Sequence, residues 1–176
     1  MAEGFLIITG VTAPASAHVG DLVNFTIHTK NTGASDNFKI ELSGSLTGSQ
    51  EFSLEGGGKC VGTAISCSSL PREEFCLAQC GCSWGGMIGI VTEGCSGTAC
   101  PCSSFNTKEA CESQGGCSWQ YPTKDVNFSF TMPNYNISIT IKTYHYEEAV
   151  GWVWDTSSVW ELLFPFMNIK DRPFKQ

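Results

Sequence analysis

The stretch "DLVNFTIHTK", Asp21 to Lys30, decides the fold class. Val23, Phe25 and Ile27 alternate with Asn24, Thr26 and His28, and a period of two puts the two sets on opposite faces of a strand with one face buried. The same alternation runs through Phe38, Ile40 and Leu42 in "DNFKIELSG" and through Phe52 and Leu54 in "QEFSLEG". It resumes in "DVNFSFTMP" with Val126, Phe128, Phe130 and Met132, and in "YNISITIKTYHY" with Ile137, Ile139 and Ile141. Adding "GFLIITGV" near the start and "GWVWD" to "SVWELLF" near the end gives about seven strands. Turn signals such as "VGD", "NTGASDN" and "MPNYN" separate them.

Seven one-faced strands without a sustained helical period predict an all-β chain, because two such sheets bury their apolar faces only against each other. The expected architecture is an immunoglobulin-like β-sandwich formed by residues 1–57 and 122–176, with 58–121 as an insertion. Closure entropy grows only logarithmically with loop length, so an insertion in a surface loop costs little.

The insertion holds all ten cysteines: Cys60, Cys67, Cys76, Cys80, Cys82, Cys95, Cys100, Cys102, Cys111 and Cys117. Aligning Cys60 with Cys95 also aligns Cys67 with Cys102, Cys76 with Cys111, Cys82 with Cys117 and Trp84 with Trp119, without a gap. The segment is therefore a tandem duplication, read as repeats 60–94 and 95–121, with Cys80 and Cys100 as unmatched additions. Four cysteines per repeat suit two internal bridges, and the unmatched pair suits a fifth that joins the repeats. Which cysteines pair inside a repeat is open, since four allow three connectivities. A unit with so few large apolar residues needs staples, and each bridge over a loop of this size stabilises by roughly 3 kcal/mol in the chain-entropy account. Zinc is the rival reading of close thiolates, but the short pairs Cys80/Cys82 and Cys100/Cys102 fall in non-equivalent places, with no histidine between residues 60 and 121. Disulfides imply an oxidising compartment or the cytosol of a hyperthermophile.

Net charge is -7, which argues against partners bound through phosphate counterion release; nucleic acid is not an expected partner. No stretch reaches the roughly 18 apolar residues of a membrane span. The opening residues lack the basic leader and long apolar run of a secretory signal, so the expectation is either a cytosol that tolerates disulfides or another route outward, such as release within an assembled particle.

"VTAPASAHVGDLVNFTIHTKNTG" and "FSFTMPNYNISITIKTYHY" resemble the opening and closing strands of Ig-like modules in surface proteins of archaea and bacteria and in virion proteins of their viruses. The Cys/Trp repeats look like small knobs in proteins of hyperthermophilic archaea and their viruses. The resemblance implies a setting on a particle or cell surface rather than an activity.

Candidate chemistry is sparse. "GCSWG" at Gly81 to Gly85 fits a nucleophile elbow around Ser83, but an elbow needs a strand-to-helix turn, and the equivalent "GCSWQ" breaks the motif. His18, His28 and His145 are expected as ordinary surface residues, and no catalytic, cofactor-binding or metal-ligating set is expected. "YHYEEAVGWVWD" gathers Tyr144, Tyr146, Trp152, Trp154, Glu147 and Glu148 on one hairpin. It is either a contact platform for a glycan or protein, or, with Trp152 and Trp154 turned inward, the closure of the core. Sequons stand at Asn24, Asn127 and Asn136. The tail "LLFPFMNIKDRPFKQ" reads as an arm for a neighbouring subunit or as a strand end. The expected function is a non-enzymatic structural or interaction protein outside a particle, most concretely a capsid-associated, turret or decoration protein of a virus of a hyperthermophile. Its partners would be other subunits and a host receptor or glycan. A cell-surface filament or adhesion subunit is the alternative, and a secreted hydrolase a distant third.

Overall fold

The computed structural model describes residues 3–86 and 93–167. The chain divides into two compact units, Met1–Gly57 with Pro122–Gln176, and Gly58–Tyr121. The first segment contributes β1 (Leu6–Thr12), β2 (Ala17–His18), β3 (Leu22–Asn31), β4 (Asp36–Gly44) and β5 (Gly48–Leu54). The second unit contributes β6 (Lys59–Gly62), α1 (Glu73–Leu77), β7 (Cys82–Gly85), β8 (Gly94–Gly97), α2 (Lys108–Ser113) and β9 (Cys117–Gln120). The chain then returns through β10 (Thr123–Thr131), β11 (Ile137–Glu147), β12 (Gly151–Phe164) and β13 (Phe166–Met167).

The first unit is an immunoglobulin-like sandwich of a three-stranded sheet, β1-β3-β10, and a four-stranded sheet, β12-β11-β4-β5. All pairs within these two sheets are antiparallel. The inward set of each strand matches the sequence alternation: Val23, Phe25 and Ile27 meet Phe38, Ile40, Ile137, Ile139 and Ile141 in one buried cluster. Phe25 stacks on Phe128 at 5.6 Å between centroids and lies 5.9 Å from Phe164. Buried Asn31 closes the β3–β4 turn: its Oδ1 accepts from the N–H groups of Phe5 and Gly33, and its Nδ2 donates to the carbonyls of Ala34 and Glu55. A fully satisfied amide of this kind offsets its own burial and fixes the "NTG" turn. β13 pairs in parallel with β2, which anchors the chain as far as Met167; the remainder of the expected arm, 168–176, lies outside the described residues.

In the second unit every cysteine is bridged: Cys60–Cys111, Cys67–Cys82, Cys76–Cys95, Cys80–Cys100 and Cys102–Cys117. Two bridges inside each sequence repeat do not form. Only Cys67–Cys82 and Cys102–Cys117 stay within a repeat, and the other three cross between repeats. The reason is a permuted folding unit. After Trp84 the chain turns back as the β7–β8 hairpin, so the strand that opens the second repeat completes the first module. The strand that opens the first repeat, β6, is left to pair with β9 and completes the second.

Module A is therefore continuous from Ser66 to Cys100, and module B is built from residues 58–65 and 101–121. Each bridge then closes within one module. Cys80–Cys100 joins the two repeats as expected, yet lies inside module A, where module B has Gly115 and Ile65 instead. The backbone bond from the Cys100 N–H to the Cys80 carbonyl, 3.0 Å, repeats as Ile65 N–H to Gly115 carbonyl, 2.9 Å. Gly62 and Gly97, both at φ near +115 (+115 and +114), hold equivalent positions where an added Cβ would strike the Gly116 and Gly81 carbonyls. Both the backbone conformation and the close approach require glycine.

Candidate functional site

The β11–β12 hairpin presents different chemistry on its two faces. Along β11, Ile139, Ile141, Thr143 and His145 are buried, while Lys142, Tyr144 and Tyr146 point to the other side. Register places Tyr144 opposite Trp154 and Tyr146 opposite Trp152, with Lys39 of β4 on the far flank of Tyr144. Trp154 and Tyr146 are 43% and 41% exposed. Trp152 and Trp154 thus do not close the core, a task that falls to Phe25, Phe38 and Phe164. The alternation of β12 carries both tryptophans outward.

This outer face is an ordered aromatic platform. Tyr146 and Trp152 meet edge to face at 5.3 Å, the Lys39 ammonium sits 4.4 Å from the Tyr144 ring centre, and Lys142 sits 5.1 Å from that of Trp154. The Tyr144 hydroxyl donates to Glu41 at 3.2 Å, and burial together with the Glu41 charge holds its pKa above the usual 10.0. A shallow cleft of about 380 Å³ opens beside Tyr146 and Trp152, bounded also by Asn37 and Glu51. Flat rings interleaved with cations and carboxylates can stack on a sugar ring or anchor a protein surface.

On the inner side of the same hairpin, His145 lies between carboxylates. Its Nδ1 is 2.7 Å from Asp155 Oδ1 and its Nε2 is 3.2 Å from Glu147 Oε1. Asp155 reaches His145 because β12 bulges: the register passes from Lys142 opposite Val159 to Tyr144 opposite Trp154. Among the described residues its buried Oδ2 finds no hydrogen-bond partner. Burial pulls the His145 pKa down, but hydrogen bonds to Asp155 and Glu147, and their charges, together raise it above 6.5. Burial raises the Asp155 pKa above 3.8 against the opposing pull of His145 and the Leu6 N–H, and the charge of Asp36 adds to the rise. Glu3 joins the group: its carboxylate, the imidazole and Glu147 offer donor atoms all within 4.8 Å of one another. Glu3, Asp36, Glu147 and Glu148 also line a cleft of about 540 Å³ at this end of the sandwich.

His145 is thus not an ordinary surface histidine; it is 7% exposed. The signal that could have found it is its inward parity with Ile141 and Ile139, two and three steps of two back along β11. The other histidines each meet one carboxylate near the surface. His28 Nδ1 lies 2.7 Å from Asp125, with Thr12 on its other nitrogen, and His18 lies 3.4 Å from Asp21.

Ser83 sits within β7 with its hydroxyl 3.5 Å from that of Ser96, in a hairpin rather than a strand-to-helix turn. Asn24, Asn127 and Asn136 are all exposed, and Asn127 accepts a 2.7 Å bond from the Thr26 hydroxyl. The sequence differences between repeats emerge on the short helices: α1 exposes Phe75 and Leu77, at 49% and 61%, where α2 carries Ala110 and Glu112.

No family model matches the chain, and no curated protein matches it significantly. Among solved structures it is similar to the CARDB domain of a Pyrococcus furiosus protein, crystallised in complex with di-metal ions, at 12% identity and a TM-score of 0.40. That match covers 94% of this chain and 93% of the other.

Proposed function

We propose that this chain is a non-enzymatic structural and interaction protein on the exterior of a particle, most concretely a capsid-associated, turret or decoration protein of a virus of a hyperthermophile. The observation that carries the reading is the stapled double module, in which all ten cysteines are bridged and no free thiol remains. Such a unit keeps its shape with little apolar core, which suits an exposed projection under oxidising or hot conditions. The unequal helices supply its contact: exposed Phe75 and Leu77 on module A are the apolar pair with which it would dock on a neighbouring subunit.

A second reading, a cell-surface filament or adhesion subunit, is favoured by the aromatic platform of Tyr144, Tyr146, Trp152 and Trp154, whose rings and flanking lysines suit a glycan or receptor. Fractionation separates the two. Recovery of the protein by mass spectrometry in stoichiometric amount from purified particles is expected, whereas its confinement to membrane or filament fractions would overturn the particle reading and support the second.

A further inference from the structure

We infer that His145, Glu147 and Glu3 form a binding site for one divalent transition-metal ion of the zinc type, with Asp155 holding the imidazole from behind.

The argument begins with donors and acceptors. Both ring nitrogens of His145 face carboxylate oxygens, Asp155 Oδ1 at 2.7 Å and Glu147 Oε1 at 3.2 Å. An ionised carboxylate only accepts, so an imidazole holding one proton satisfies one of these contacts and sets a lone pair against the other, where either a second proton or a cation must sit. A cation on Nε2 resolves the conflict while Nδ1–H continues to donate to Asp155. That is the carboxylate–histidine–metal relay in which a second-sphere acid fixes the tautomer and raises ligand basicity. Asp155, 2% exposed and 2.7 Å from Nδ1 through its Oδ1, is placed and buried for this role.

The spacing agrees. Bonds of 2.0–2.1 Å in a tetrahedral site set ligand atoms roughly 3.4 Å apart, and the Nε2 to Oε1 separation is already 3.2 Å. Glu3 is within 4.8 Å and lies on the exposed N-terminal segment, so a change of side-chain rotamer completes the third contact. Glu3 and Glu147 both line the adjoining cleft, which gives an ion access to their carboxylates. Charge points the same way: Glu3, Glu147 and Asp155 surround a single imidazole, Asp36 adds its charge beside Asp155, and a divalent ion neutralises part of that excess. One imidazole with two carboxylates selects zinc, cobalt or nickel over magnesium and calcium, which take oxygen ligands. The bound ion ties the N-terminal segment to the β11–β12 hairpin.

The test uses the full-length, tag-free, oxidised protein. Titration with Co2+ alone is expected to give one saturable site with the visible bands of a four-coordinate ion, displaced by equimolar Zn2+ and unaffected by millimolar Mg2+. Glu3→Gln alters an exposed side chain and Glu147→Gln a half-buried one, and each is expected to weaken binding at least tenfold. Asp155→Asn is expected to weaken it 10- to 100-fold through the imidazole. Asp125→Asn, beside His28, is the control and leaves affinity unchanged. Zn2+ is also expected to raise the melting temperature of the wild type but not of the Glu3→Gln, Glu147→Gln double variant. Absence of a saturable Co2+ site, or equal affinity in that double variant with its fold intact by circular dichroism, overturns the assignment.

Discussion

Gln79 and Gln114 occupy the same place in the two repeats, and each crosses to bond the other module: Gln79 Oε1 accepts from the Gly115 N–H at 2.6 Å, and Gln114 Oε1 accepts from the Cys80 N–H at 2.9 Å. Because every disulfide closes within one module, this reciprocal pair, together with the Gln79 Nε2–H bond to the Ser113 carbonyl at 3.5 Å, forms a polar joint between them. Gln114 is the more buried partner, 2% exposed. Gln114→Ala removes the acceptor of the part-buried Cys80 amide and is expected to cost about 0.5–1.5 kcal/mol, the net range for a single hydrogen bond. Hydrogen exchange checks the assignment residue by residue. Cys80 loses protection in Gln114→Ala while Gly115 keeps it, and Gln79→Ala gives the reverse; loss at both amides in either variant would count against two separate bonds.

The permuted module makes a second expectation that the repeat boundary does not. A synthetic peptide of residues 66–101 contains both partners of Cys67–Cys82, Cys76–Cys95 and Cys80–Cys100, together with α1 and the β7–β8 hairpin. It is expected to oxidise to one dominant isomer with that connectivity, since loops this short lose little entropy on closure and gain staples in place of a core. A peptide of residues 60–94 lacks Cys95, Cys100 and Cys111, the partners of three of its cysteines, and is expected to scramble. Mass mapping of the two oxidised products decides between module and repeat as the folding unit.

The sandwich was legible in sequence because a period of two survives any ordering of the strands: Phe25, Ile40 and Ile139 declare their inward parity locally. The staples were legible as a set, but not as pairs, because a gap-free duplication says which residues are equivalent and not which copy completes which. The reciprocal glutamines stood in the alignment as one more identity, with nothing to separate them from turn residues. The His145 group was hidden for a topological reason. Glu3 reaches it from the far end of the chain, and Asp155 only through a bulge that shifts the register between Tyr144 and Trp154.

The outward turn of the tryptophans separates stability from contact. Phe25 is 2% exposed and packs on three other phenylalanines, so Phe25→Ala is expected to cost about 3–5 kcal/mol. Trp154→Ala removes a half-exposed ring with one cation contact and is expected to cost about 1 kcal/mol or less. Paired chemical denaturation of the two variants measures the gap. A glycan array or pull-down with Trp152→Ala, Trp154→Ala protein then reports on recognition by a molecule that is still folded. A Trp154→Ala loss as large as that of Phe25→Ala would return this residue to the core.

The His145–Asp155 contact makes the metal-free sandwich less stable as pH rises. The native pKa of His145 lies above its ordinary 6.5, so the folded state binds a proton more tightly than the unfolded chain. Its contribution is fully present below pH 6.5 and is lost as pH climbs through the raised native value. The Asp155 pKa is also raised, above 3.8, because burial disfavours the carboxylate, so in the acid range its slope has the same sign. In the presence of a chelator, melting temperature is expected to fall between pH 6 and pH 9, and more steeply in the wild type than in His145→Gln. That variant also leaves Asp155 buried without its partner, at a cost of about 3–5 kcal/mol below pH 6.5. Parallel pH profiles for the two proteins would mean that the imidazole does not titrate against this pair of carboxylates.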